Sequence, residues 1–319
     1  MLTVATRERI RSSVPWWLKC ALKLALVPVG YRLQRALSLA SHGGMRRPQF
    51  AHDAFRRHFD DSDFNRKSGG FAVLEMGPGD ALTAAVVARA YGAASSCHVD
   101  VAPLATRDAA VYRAAARYLG EQGLPAPDLS ATRSLDEVLT VCRGRYETGG
   151  LASLRALPDA SFDLIFSNCV LQCVPPAHLP AILKETRRLV HPRGVCVHSI
   201  DLRDMMGQSL HHLRFPEGVW ESAYFRRAGF YTNRLRHSEW LRLFSLAGFD
   251  VRESEVNHWA ALPVTRDSLA PPYRDRSESD LLVRTIRVAL FPRADQPSQD
   301  IGDAAERRTG LRALAPAVG

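Results

Sequence analysis

The stretch Val73-Leu74-Glu75-Met76-Gly77-Pro78-Gly79-Asp80 decides the fold. It begins in a short apolar run typical of a buried strand and ends in a turn with two glycines, and a helical apolar pattern starts at Leu82. Glycines lack a Cβ atom, so the backbone at such a turn can approach a ligand closely. A strand, glycine turn and helix in this order are typical of the ligand-binding edge of an open parallel sheet.

The rest of the chain repeats this alternation of strands and helices. Strands alternating with helices form βαβ units and a mainly parallel sheet, so we predict an α/β fold. The predicted strands cover residues 71–76, 97–99, 145–148, 162–167, 195–200, 249–256 and 281–290.

Composition and charge restrict the class of protein. The 319 residues are 46% hydrophobic and 24% charged, as in ordinary globular proteins. The net charge of +9 indicates an anionic partner, such as a phosphate-bearing substrate, a membrane surface or nucleic acid. Six irregularly spaced cysteines suit reduced thiols in a cytoplasmic protein.

One N-terminal segment has an amphipathic composition. No apolar stretch reaches the roughly 18 to 20 residues that a membrane span needs. Over residues 14–39, however, Trp16 and Trp17 stand beside Lys19 and Lys23, a composition that suits an interfacial helix. We therefore predict either peripheral membrane contact through this segment or packing on the protein's own core.

An acidic residue at the end of the second strand extends the glycine-loop pattern. Asp100 follows Gly79 by about twenty residues, where a carboxylate accepts hydrogen bonds from ribose hydroxyls. The third glycine of the dinucleotide fingerprint is replaced by Leu82, which disfavours a nicotinamide-dependent enzyme. Carboxylates at Glu75 and Asp80 repel phosphate but suit a ligand with an amino group and a sulfonium charge. The pattern predicts a nucleoside site without pyrophosphate.

Several motifs together resemble one enzyme family. Glu75-Met76-Gly77-Pro78-Gly79 resembles the E/D-x-G-x-G motif of class I S-adenosylmethionine (SAM)-dependent methyltransferases. Residues 157–167 resemble the LP-x-x-S-F-D-x-I/V-x-S stretch of the type 11 group. Residues 183–194 resemble the L-x-P-G-G turn, with Arg193 in place of the first glycine, and residues 240–249 resemble the L-x-x-x-A-G-F helix end. The resemblance covers about residues 65–290.

The resemblance implies a fold and a domain organisation. We expect a Rossmann-like doubly wound sheet of seven strands, the last antiparallel, with an N-terminal helical extension and an insertion after strand 5. The expected parts are a helical region over residues 1–64, a class I methyltransferase domain over 65–292 with a substrate-side insertion at 202–237, and a disordered tail at 293–319.

The resemblance also implies SAM as the cofactor and assigns its binding residues. Glycine-loop residues would shape the pocket for the methionine part, and the second-strand acid would hold the ribose. Residues after the second and third strands would lie beside the adenine, and Asn168 would face both ligands. The predicted cofactor residues are Glu75, Gly77, Pro78, Gly79, Asp100, Val101, Leu151, Ala152 and Asn168.

The acceptor side is less defined in the sequence. The N/D-P-P-Y turn common in N-methylating enzymes is missing after Asn168, and the position where many relatives carry a histidine is Cys173. Candidate catalytic residues are therefore Asp201, Asp204 and His212. The Asp201-x-x-Asp204 pair could also bind a divalent ion, but we expect no metal.

We therefore predict O-methylation of a glycan, a lipid-linked sugar or another small metabolite. Aromatic and arginine side chains in the insertion suit sugar rings and anionic groups. One alternative is an RNA methyltransferase, although the chain carries no recognisable RNA-binding module, so we do not expect nucleic acid as a partner. Another is a non-catalytic, membrane-associated protein with the same fold. The predicted location is the cytoplasm, with peripheral contact at the inner face of the membrane.

Overall fold

The computed structural model describes residues 14–29, 44–64 and 70–294 of the chain. The helix expected at residues 32–41 lies outside these residues, and so does the tail expected at 293–319, apart from its first two positions. No helix in the described ranges is long and apolar enough to cross a membrane.

A single sheet of seven strands organises the molecule, in the order β3-β2-β1-β4-β5-β7-β6. The neighbours among β1 to β5 pair in parallel, and β7 is antiparallel to both β5 and β6. This confirms the predicted fold class and the antiparallel last strand. The strands are β1 (Ala72–Met76), β2 (Ser95–Val99), β3 (Gly144–Glu147), β4 (Phe162–Asn168), β5 (Val190–Asp201), β6 (Phe249–His258) and β7 (Val283–Pro292).

Helices cover both faces of the sheet. The described α-helices are α1 (Trp16–Ala25), α2 (Pro48–Asp60), α3 (Thr83–Ala90), α4 (Ala109–Glu121), α5 (Leu135–Cys142), α6 (Leu151–Ala156), α7 (Leu179–Leu189), α8 (Glu217–Trp220), α9 (Ala223–Arg226), α10 (His237–Leu246), α11 (Pro271–Arg274) and α12 (Glu278–Leu282). Helices α2 to α5 share one buried apolar cluster with one face of the sheet. Helices α6, α7 and α10 share a second cluster with the other face, which makes the sheet doubly wound.

A glutamate fixes the start of α10. Ser238 is the residue type that commonly precedes a helix, but the helix begins at His237 and places Ser238 in its first turn. The carboxylate of Glu239 accepts a hydrogen bond from the backbone N–H of Arg236 at 2.9 Å. A glutamate three residues into a helix can bond back to the residue before it, so the helix begins two residues earlier than a serine cap would place it.

The insertion after β5 forms a small core with α1. Trp220, Phe230 and Tyr231 pack with Cys20 in a buried cluster, and Trp16 packs against its edge. The N-terminal segment thus lies on the substrate-side insertion. Parallel pairing brings the carboxyl ends of β1 to β5 to one edge of the sheet, and this edge holds the candidate site.

Candidate functional site

The glycine loop after β1 has the backbone that its sequence predicts. Gly77 and Gly79 both have positive φ angles, +70° and +73°, a region that favours glycine. A Cβ atom at Gly77 would lie 2.6 Å and 2.7 Å from the two methyl groups of Val170. The loop therefore needs glycine for its conformation and for its close contact with the segment after β4. Pro78, between the two glycines, is buried.

Asp100 ties the end of β2 to this loop. One carboxylate oxygen accepts a hydrogen bond from the Gly79 N–H at 3.2 Å, and the other accepts from the Val101 N–H at 2.7 Å. The Val101 side chain is 79% exposed, which is unusual for a valine next to a buried acid. A carboxylate for ribose hydroxyls beside an apolar surface for an adenine ring fits the nucleoside part of SAM.

Glu75 has a buried partner beneath the loop. Its carboxylate lies 2.6 Å from Nδ1 of His98, the residue opposite it on β2, and both side chains are buried. His98 Nε2 lies 3.0 Å from the Ser96 hydroxyl. The Glu75 carboxylate thus joins β1 to β2 directly below the glycine loop. Contact with the methionine part of SAM stays a prediction.

The other predicted cofactor residues lie at the same edge. Gly150 has a φ of +55° and donates its N–H to the Asp100 carbonyl at 2.9 Å. It precedes α6, so the partly exposed Leu151 and the exposed Ala152 begin a helix next to Asp100. Asn168 is the last residue of β4 and is partly exposed. The structure therefore brings all the predicted cofactor residues to one edge of the sheet.

A cavity of about 190 Å³ adjoins Asn168 at the carboxyl ends of β4 and β5. Ser199 of β5 and Thr285 of β7 contribute hydroxyl groups to its lining. Arg57 of α2 and Arg287 of β7 contribute guanidinium groups. The Arg287 guanidinium is bound by the carboxylates of Asp61 and Glu255, whereas Arg57 has an exposed side chain with no ion pair in the described part of the chain.

A buried histidine lies behind the cavity wall. Nε2 of His58, on α2, is 3.1 Å from the Ser199 hydroxyl oxygen and 3.2 Å from the Ser167 carbonyl oxygen. Its Nδ1 is 2.6 Å from the Ala54 carbonyl oxygen, which can only accept, so the proton of the neutral ring is assigned to Nδ1. Burial, with the nearby charges of Arg287 and Arg57, lowers the pKa of His58 to about 4. The neutral ring therefore accepts a hydrogen bond from Ser199.

Asp201 lies near this cavity but is already paired. Its two carboxylate oxygens accept from Nε and Nη2 of Arg203, each at 2.8 Å. Both oxygens of this carboxylate are occupied by a two-point, charge-assisted contact, so they are not free to accept from an acceptor hydroxyl. The proposed role of Asp201 as a base stays a prediction, and the geometry weighs against it.

Asp204 and His212 lie in the core of the insertion. The Asp204 carboxylate accepts backbone N–H groups from Met206 at 2.8 Å and His211 at 2.9 Å, and also from Gly207 and Ser209, so it organises a loop. His212 is 1% exposed, its ring centroid lies 5.9 Å from that of Trp220, and burial lowers its pKa well below the usual value. Neither arrangement favours direct contact with an acceptor.

Cys173, after β4, does not supply a base. Burial raises the pKa of Cys173 to about 12, so this thiol stays protonated at neutral pH. Cys169 has a φ of +58°, which non-glycine residues rarely adopt.

Among the described residues, no three histidine, cysteine, aspartate or glutamate side chains are grouped to hold a metal ion.

Apart from Asn168, sequence reasoning missed the residues in and behind the cavity wall. His58 and Ser199 are separated by 141 positions, and the alternation of strands and helices does not show that α2 packs beside β5. A clue was present in the helical spacing of Ala51, Ala54, Phe55 and His58, which places a titratable side chain on the buried face of α2.

Comparisons with known proteins gave one family match and several similar solved structures. Residues 74–198 match the family model described as a methyltransferase domain. No curated protein sequence matches the chain. The chain is similar in structure to the YcgJ protein of Bacillus subtilis, with 15% identity, coverage of 76% of this chain and 99% of that one, and a TM-score of 0.42.

Two further solved structures are similar at the same level. A SAM-dependent methyltransferase from Archaeoglobus fulgidus is 11% identical, with coverage of 76% of this chain and 94% of that one and a TM-score of 0.43. An arsenic(III) SAM methyltransferase from Chlamydomonas reinhardtii is 21% identical, with coverage of 76% and 75% and a TM-score of 0.42. The residues matched by the family model, 74–198, make up less than half of the 319 residues of the chain.

Proposed function

We propose a reaction for this SAM-dependent methyltransferase, whose residues 74–198 match the methyltransferase-domain family model. The reaction is O-methylation of an acceptor that carries an anionic group, either a glycan, a lipid-linked sugar or another small metabolite. The observation that carries this proposal is the contact between Ser199, on the cavity wall, and the buried His58.

The acceptor hydroxyl binds in the cavity beside Asn168. SAM would be held by the glycine loop and Asp100 and would supply an electrophilic methyl group. A hydroxyl acceptor is more reactive when a base accepts its proton as the methyl group arrives. Ser199 can accept that proton while passing its own proton to Nε2 of His58, so the count of protons stays balanced.

The surroundings of His58 suit the protonated ring once it forms. Its two nitrogens lie near two backbone carbonyl oxygens, those of Ala54 at 2.6 Å and Ser167 at 3.2 Å. Hydrogen bonds from a charged ring to carbonyl oxygens stabilise the charge. In the resting protein, burial and the charges of Arg287 and Arg57 keep the pKa low. A bound anionic group beside these arginines would offset the charge effect and make His58 a better proton acceptor.

The same arginines support an anionic acceptor. Arg287 is neutralised by Asp61 and Glu255, so Arg57 is the guanidinium in the cavity lining without an ion pair among the described residues. A phosphate or carboxylate can accept two parallel hydrogen bonds from such a group.

For the compartment we propose the cytoplasm, because all six cysteines are free thiols.

The test adds the purified protein and SAM with a labelled methyl group to an extract from cells that lack this protein. We expect one class of labelled product, and mass spectrometry should find a methyl ether on a molecule with a phosphate or carboxylate group. A label on nitrogen or carbon, or in the RNA fraction, would overturn the proposed reaction while leaving the methyltransferase assignment intact.

A further inference from the structure

The outward face of α1 is entirely apolar. Trp17, Leu18, Ala21, Leu22 and Ala25 are all exposed. Residues spaced by one, three and four positions lie on one side of a helix, so these five side chains form a continuous stripe. Trp17 and Leu22 are 56% and 57% exposed, although large apolar side chains on a helix of this kind usually face a core.

The opposite face of α1 fixes the orientation of this stripe. The Trp16 ring stacks on His211 with centroids 4.4 Å apart, Cys20 is buried, and Nζ of Lys23 donates to the Gly229 carbonyl at 3.1 Å. The helix therefore cannot bury its outer stripe by turning without losing these contacts.

Neighbouring helices extend the apolar surface. The described residues include seven large, exposed hydrophobic side chains, and five of them lie on α1, α8 or α9. Val219 is on α8, and Tyr224 on α9 donates its hydroxyl to the Leu24 carbonyl of α1 at 2.7 Å. The other two are Val101, at the candidate cofactor site, and Val141 on α5. Such clustering marks an interaction surface rather than scattered surface residues.

The charges around the stripe indicate the kind of partner. Helix α1 carries Lys19 beside the stripe and no acidic residue. Arg226 at the end of α9 and Arg227 directly after it are exposed. The nearby acids are Glu217 and Glu221, and Glu221 is bound by Arg226 at 3.2 Å and by the Tyr231 hydroxyl at 2.7 Å. Three basic residues against two acidic ones, one of which is already paired, suit an anionic surface.

We infer that the outer stripe of α1, with Val219 and Tyr224, docks onto an anionic lipid bilayer. Tryptophan, tyrosine and leucine beside lysine and arginine are the composition of helices that lie in the interface of a membrane. A helix of 10 residues is about 15 Å long, so it lies on the bilayer and does not span it. This inference is independent of the acceptor, since the surface lies outside the cavity.

Vesicle co-sedimentation tests the inference with the full chain. The probes are vesicles of phosphatidylcholine alone and of phosphatidylcholine with phosphatidylglycerol. We expect the wild-type protein to bind the anionic vesicles, more weakly at high salt. The double variant Trp17→Glu/Leu22→Glu should lower the partition coefficient by about tenfold or more, because charges replace the inserted side chains. Val141→Glu is the matched control, since it places the same charge on an exposed valine elsewhere.

The milder variant Leu18→Gln serves if the double variant does not fold, and it should weaken binding in the same direction. The inference is overturned if the wild-type protein ignores anionic vesicles, or if Val141→Glu weakens binding as much as the double variant. It is also overturned if light scattering shows a dimer that the double variant dissociates, because a second copy then covers the stripe.

Discussion

The Ser199 hydroxyl oxygen lies 3.1 Å from Nε2 of His58, across 141 positions of the sequence. Ser199 lines the cavity at the carboxyl ends of the strands, and His58 is completely buried behind it. This contact joins a partly exposed residue of the cavity lining to a completely buried imidazole ring. In the proposed reaction, α2 thereby contributes a proton acceptor to a site built mainly from strand ends.

Removing the Ser199 hydroxyl should slow turnover with little effect on SAM binding. In Ser199→Ala no group connects the acceptor to His58, and loss of a general base costs about 10²-fold or more. The measurement is the turnover number for the acceptor found by labelling, with SAM affinity measured by calorimetry. Ser199→Thr keeps the hydroxyl and should retain most of the activity. Equal turnover in the alanine and wild-type proteins would exclude the relay.

Acidification should destabilise the fold through its buried histidines. Burial lowers the pKa of His58 to about 4 and that of His198 to about 3, from an ordinary value of 6.5. Between pH 6.5 and 4 the unfolded chain binds protons that the folded chain excludes, so the free energy of unfolding falls as the pH falls. Each unit by which folding lowers a histidine pKa corresponds to about 1.4 kcal/mol in the free energy of unfolding.

Urea unfolding at pH 7.5 and pH 5 measures this effect. The wild-type midpoint should be lower at pH 5, and His198→Gln should show a smaller difference between the two pH values. A wild-type midpoint that is the same at both pH values would show that these histidines are protonated in the folded chain.

Reversing the charge of Arg57 should weaken acceptor binding. Arg57→Glu replaces the guanidinium in the cavity lining by a carboxylate, which repels an anionic group, so KM for the acceptor should rise by about tenfold or more. Arg56→Glu makes the same change one residue away, at an exposed side chain outside the cavity. Similar KM values in the two variants would argue against an anionic subsite at Arg57.

Asp201 and Arg203 should behave as a structural pair. If the pair only holds the end of β5, Asp201→Asn and Arg203→Leu should each lower turnover by less than about tenfold, since partly exposed ion pairs contribute about 1 kcal/mol. If Asp201 is the base, Arg203→Leu frees its carboxylate and should preserve or raise turnover, while Asp201→Asn abolishes it. Turnover measurements on the two variants separate these roles.

The alternation of apolar runs was sufficient to predict the sheet. The strand Phe162–Asn168 is mostly buried on both faces, so it stands out by the apolar run Leu164-Ile165-Phe166 at its centre. The positions of Gly77, Gly79 and Asp100 at one edge of the sheet were predictable for a similar reason, because the local geometry of one βαβ unit fixes them. Their contact with SAM stays a prediction.

The acceptor half depends on contacts between distant segments. Asp204 looked like a candidate base, but its partners are backbone N–H groups within seven residues, and loop conformation is not visible in composition. His58 and Arg57 belong to α2, whose position against β4 and β5 follows from packing on the buried face of the sheet. Sequence patterns report periodicity along the chain and not the pairing of remote elements.

We expect SAM to bind at the glycine loop and the end of β2. Calorimetric titration of SAM into the wild-type protein and into Asp100→Ala measures this binding, with circular dichroism to confirm that both proteins are folded. The wild-type protein should show one saturable site per chain, and the variant, which lacks the carboxylate for the ribose hydroxyls, should lose at least about tenfold in affinity. No binding to the wild-type protein, or the same affinity in both proteins, would exclude this site.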